Sequence, residues 1–148
     1  MKLLLILVAL VVIGFAAWVR LAPSDPEAWH VEPEKAKRTG KPNDYLVAEG
    51  GDREPLRITG DANALAQNFD SQIMENEAVQ RLAGDPSTGH ATYIARSKLM
   101  GYPDYISLQF TQDGPETVVT AYSRSRFGHS DMGVNKARLT RWLDLLAQ

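Results

Sequence analysis

The chain has 148 residues, a formal charge of −2 and no cysteine. That length allows one domain plus additions. The near-neutral balance argues against a general nucleic-acid binder, which carries a basic excess, and the missing cysteines exclude disulfides, thiolate–zinc sites, thiol catalysis and a lipidated N-terminal cysteine.

Leu3 to Val19 runs without a charge or a strongly polar residue. As a helix it would extend about 26 Å at roughly 1.5 Å per residue, close to the ~30 Å core of a bilayer. Trp18 and Arg20 stand where an interfacial aromatic and a snorkelling cation belong. The segment therefore reads as a transmembrane signal-anchor over residues 1–21. A cleaved signal peptide is the competing reading: Lys2 supplies the basic head, and Gly14-Phe15-Ala16 offers small residues at the right separation. The apolar run continues past that site, which favours retention. Basic residues after the run (Arg20, Lys35, Lys37, Arg38) would keep the domain cytoplasmic by the positive-inside rule. The two-residue head favours export, and a single-pass protein with an exported domain is the expectation.

Residues 22–55 read as a tether. Pro23, Pro26, Pro33, Pro42, Pro55 and the pair Gly50-Gly51 interrupt every helical or strand period. Its apolar residues, Trp29, Val31, Tyr45, Leu46 and Val47, are candidates for docking on the domain. His30 has no partner at ligand spacing and reads as a surface or docking histidine.

The folded domain is expected over residues 56–148. Leu56-Arg57-Ile58 alternates as a short strand. Asp61 is a good N-cap for a helix from Ala62 to about Asn76, with Leu65, Phe69 and Ile73 as its apolar stripe. Strands follow at Ala78–Ala83, His90–Lys98, Tyr105–Thr111 and Thr117–Arg126, separated by turn-forming Gly, Pro and Asp. A last helix starts near Val134 and buries Leu139, Trp142, Leu143 and Leu146. Consecutive strands joined by short turns pair antiparallel. The result is an α+β domain: a two-layer antiparallel sheet with two helices, preceded by the transmembrane helix and the tether.

The densest polar stretch is Tyr122 to Arg138, at the junction of the last strand and the last helix. Its pattern from Ser123 to Arg138, Ser-Arg-Ser-Arg-x-Gly-x-Ser-Asp-x-Gly-x-Asn-x-x-Arg, resembles the signature of the domain-of-unknown-function (DUF) family 1499. The block Ala95–Asp104 resembles that family's other recurrent segment. The resemblance covers roughly Leu56 to Leu146 and implies a fold but no activity.

On a strand, side chains alternate faces. Tyr122, Arg124 and Arg126 should share one face, Ser123 and Ser125 the other. If register brings Arg96 and Lys98 alongside the two arginines, four cations crowd one end of the sheet and require neutralisation. Asp131 and Asp104 are the internal candidates; a small anion or an anionic headgroup is the external one. The start of the last helix, with its unpaired amides and dipole, favours an anion too. The ligand-binding hypothesis thus names Arg124, Arg126, Ser130, Asp131, Asn135, Arg138, Arg96 and Lys98. Against it stands a purely structural polar network, with Asp131 pairing an arginine and Asn135 bonding the turn.

No catalytic set completes. Gly128–Gly133 has its second glycine one residue late for a nucleophile elbow, and no histidine follows Ser130. His30, His90 and His129 lack metal-ligand spacing. The expectation is a non-enzyme without cofactor or metal. Its partners are the membrane through residues 1–21 and either a small anion or a protein of the cell envelope, with no nucleic acid.

Overall fold

The computed structural model describes residues 1–148. Helix α1 (Lys2–Leu21) is apolar between Lys2 and Arg20 and buries only Val19. It is long and apolar enough to cross a membrane. A single turn, α2 (Pro26–Trp29), follows, with the Asp25 carboxylate accepting from the Glu27 amide at 3.0 Å. Strands β1 (Asp44–Val47) and β2 (Leu56–Thr59) precede helix α3 (Ala62–Asn76). Strands β3 (Val79–Asp85), β4 (His90–Arg96), β5 (Pro103–Asp113) and β6 (Glu116–Ser125) come next, and helix α4 (Val134–Leu146) ends the chain.

The six strands form one antiparallel sheet in the order β1-β6-β5-β4-β3, with β2 also on β6. β1 and β2 divide the same edge of β6: β1 takes Ala121–Arg124 and β2 takes Val119 back to Glu116. The β5–β6 hairpin turns at Gly114, whose φ of +59° is the left-handed conformation that glycine adopts at little cost.

Helices α3 and α4 cover one sheet face. The Asp61 side chain accepts from the Ala64 amide at 2.8 Å, so the cap read from the sequence starts α3 where expected. α3 buries Ala62, Ala66, Phe69 and Ile73, and α4 buries Leu139, Trp142 and Leu143. These pack on Ala91, Tyr93, Ala95, Ile106, Leu108, Val119 and Ala121 from the strands. Each large apolar side chain so buried contributes about 1.5–3 kcal/mol. The α+β, two-layer fold expected from the sequence is the fold observed.

The other sheet face is where expectation and structure part. The segment 22–55 is no spacer. It contributes β1 to the sheet edge, and residues 23–38 lie across the second face as a strap. The Trp29 ring stacks on Tyr105 with centroids 3.9 Å apart, and His30 stacks on His90 at 4.0 Å. Prolines that read as breakers open short helical turns instead, Pro26 in α2 and Pro33 in a 3-10 turn to Lys35. The folded unit therefore begins directly after α1, well before Leu56.

Candidate functional site

β6 alternates as its sequence requires, and that alternation sorts the Ser-Arg-Ser-Arg run into two sites on opposite faces. On the helix side, Ser123, Ser125, Asn135, Arg138 and Asp104 form a closed network. Asn135, fully buried at the start of α4, accepts from Ser123 Oγ and donates to Ser125 Oγ at 3.0 Å. It also donates to the Asn43 carbonyl at 3.2 Å. Arg138 donates to Asn135 Oδ1 at 3.0 Å and to Asp104 Oδ2 at 3.0 Å. Ser125 Oγ donates to the other oxygen of Asp104 at 2.6 Å. Every member has a partner, the condition under which buried polar groups rigidify a fold.

Asp131 has a different part from the one its position suggested. It pairs with neither arginine. Its Oδ1 accepts from the Gly133 amide at 2.9 Å and its Oδ2 from the Asn135 amide at 2.7 Å. The Ser130 hydroxyl accepts from the Met132 amide at 3.2 Å. The aspartate thus sits two residues ahead of the N-cap Gly133 and takes two of the amides, those of Gly133 and Asn135, that an anion at this helix end would use.

On the strap side, Arg124 and Arg126 hold the strap. Arg124 is 5% exposed. Its Nη2 donates to the Trp29 carbonyl at 2.8 Å, and its guanidinium lies over the Trp29 and Tyr122 rings, 5.1 and 4.8 Å from their centroids. Its Nη1 is buried and has no hydrogen-bond partner. Burial lowers its pKa, opposed by Tyr122, Tyr105 and Asp44. Arg126 donates to the Pro23 carbonyl at 2.8 Å. Tyr122 donates to Asp44 Oδ2 at 2.8 Å and reaches the Lys37 carbonyl at 3.2 Å. Burial tends to raise the Asp44 pKa, yet donors from Arg38, Thr39 and Tyr122 hold it below the usual carboxylate range. Two other buried polar atoms, Gln109 Oε1 and Thr120 Oγ1, are likewise unpartnered, and their residues face each other across β5 and β6.

The expected cluster of four cations does not form. Arg96 closes on the Gly101 carbonyl of its own turn at 3.2 Å. Arg96 and Lys98 border a cleft of about 290 Å³ beside Arg138 and Arg141, on the α4 side. Arg124 and Arg126 lie beneath the strap.

A model of the family described as protein of unknown function (DUF1499) matches residues 21–146. The chain belongs to the DUF1499 family. The match begins at the last residue of α1, so the family unit includes the strap and β1 as well as the sheet and helices. No curated protein matches the chain. In this DUF1499 member the signature resolves into two tasks, docking α4 and fastening the strap. Asn43, Asp44 and Trp29, which complete those tasks, lie outside the stretch in which the motif was read. Only the apolar character of Trp29 marked it from the sequence.

The strap carries a pH-dependent element. His30 is half-buried, and its Nδ1 is 2.8 Å from Thr92 Oγ1. Burial, with the neighbouring His90, lowers its pKa below 6.5. The folded state thus prefers neutral His30: its contribution is complete above about pH 6.5 and is lost as pH falls through the lowered value. Denaturant midpoints should fall between about pH 7 and pH 5. In His30→Gln that fall should be smaller, and an unchanged fall would assign it to other groups.

Proposed function

We propose that this protein is a membrane-anchored, non-catalytic module of the cell envelope that works by holding a rigid α+β surface close to the bilayer for a protein partner. The observation that supports it is the internal use of the signature. Ser123, Ser125, Asn135, Arg138 and Asp131 are all spent on holding α4, and Arg126 on the strap. A domain on the exported side remains the reading of the short basic head.

One observation favours a second reading, binding of a small anion: the unpartnered Nη1 of buried Arg124. An anion would reach it only with the strap lifted. Thermal melting with and without phosphate, sulfate, carboxylates and lipid headgroups separates the two. Under the structural reading Arg124→Gln melts lower than wild type, and no anion shifts either protein. Under the anion reading, phosphate at about a hundred times its dissociation constant stabilises wild type by about 2.7 kcal/mol, and Arg124→Gln abolishes that gain.

A further inference from the structure

Two connections meet at one end of the sheet: residues 97–102 between β4 and β5, and residues 126–133 between β6 and α4. They border a shared cleft of about 170 Å³. This end is fixed to the last turn of α1. Arg20 Nη2 donates to the Leu99 carbonyl at 2.8 Å, and Trp18 meets Phe127 edge-on with centroids 5.4 Å apart. Gly101 has φ +73°, and a Cβ there would stand 2.6 Å from Arg20 Cγ, so any other residue would be strained in this turn and would push the arginine aside.

The 20 residues of α1 span about 30 Å, matching the hydrocarbon thickness, which puts Trp18 and Arg20 at headgroup depth. The loops fastened to them share that level. At their tips Leu99 is 83% and Met132 96% exposed. Beside Leu99 stand two exposed cations, Arg20, which donates to its carbonyl, and Lys98, its neighbour in the chain. Asp131, the one acid of these segments, is engaged with the α4 amides, and nearby Asp104 of β5 with Arg138. An apolar tip flanked by exposed cations suits an anionic lipid interface, where the aliphatic groups enter the headgroup boundary and the cations pair with phosphates.

We infer that this end of the sheet rests on the bilayer, with Leu99 entering the interface and Lys98 contacting anionic headgroups. The inference depends on the anchored reading, since α1 supplies the level. The natural absence of cysteine permits a single probe. The full chain carrying Leu99→Cys, labelled with an environment-sensitive fluorophore, is reconstituted in phosphatidylglycerol or phosphatidylcholine vesicles. Ser87→Cys, in the turn at the opposite end of β4, is the reference. Flotation is scored in every sample. The expected result is a blue-shifted Leu99→Cys label, quenched by spin-labelled lipid roughly twofold or more beyond the Ser87→Cys label. Adding Lys98→Glu should reduce that quenching in phosphatidylglycerol and leave it unchanged in phosphatidylcholine. Equal quenching at both positions in a chain that floats overturns the docking while leaving the anchor intact. Quenching insensitive to both lipid charge and Lys98→Glu overturns the headgroup contact. A chain that does not float overturns the anchor, and the docking with it.

Discussion

Trp142→Ala should lower the unfolding free energy by about 3–5 kcal/mol, the range for deleting a buried indole from a packed core. The ring is fully buried and meets Phe69 and Tyr93 edge-on, with centroids 5.9 and 6.1 Å away. It therefore joins α3, α4 and β4 at one point, and neither helix can move in to fill the cavity without losing its other contacts. Denaturant unfolding of the detergent-solubilised chain, followed by far-ultraviolet circular dichroism, gives the difference. A wild-type midpoint would mean that α4 packs through another face.

Asp104→Ala is the second large loss, about 3–5 kcal/mol, because breaking a mostly buried pair leaves an uncompensated charge. Arg138 and Asp104 lie 3.0 Å apart with side chains 13% exposed on both partners. The substitution also removes the acceptor for Ser125 Oγ. Adding Arg138→Met should restore part of the stability, since the stranded cation goes with it. The same denaturation experiment on both single variants and the double gives the coupling. A double variant no more stable than Asp104→Ala would put the loss in the Ser125 hydrogen bond.

The sheet and the two long helices were legible because their periods are local. Asp61 and the stripe of Phe69 and Ile73 fix α3, and alternation fixes the faces of β6. Within residues 22–55 the docking of Trp29 and Tyr45–Val47 was legible from their apolar character, but the strand and the strap were not, because what holds them is distant. β1 is four residues long and is defined by its pairing with β6; Trp29 is held by Tyr105 and Arg124. Short segments of that kind carry little intrinsic preference, and tertiary contacts decide them. The misassigned partner of the motif was open to sequence reasoning. Asp131 lies two residues ahead of Gly133, the N-cap of the last helix, and a short acid so close before a helix start is a candidate for bonding its first amides. Its closeness to Arg124 and Arg126 in the chain outweighed that signal. Asp104, named as an internal candidate, does pair, but with Arg138 rather than with Arg124 or Arg126; Asn43 and Asp44 had no local mark.

The placement of β6 governs the order in which the chain can fold. β1 and β2 pair with no strand but β6, and β6 is the last strand to be made. Loop closure over such separations costs entropy before any contact repays it, so their docking is a late and slow event. Until Ser125 has emerged, Tyr45, Leu46 and Val47 have no sheet to join, although they lie close to the end of the chain that reaches the membrane first. An emerging chain arrested before β6 should remain open along its N-terminal third and susceptible to protease there, with the unpaired strands exposed to aggregation.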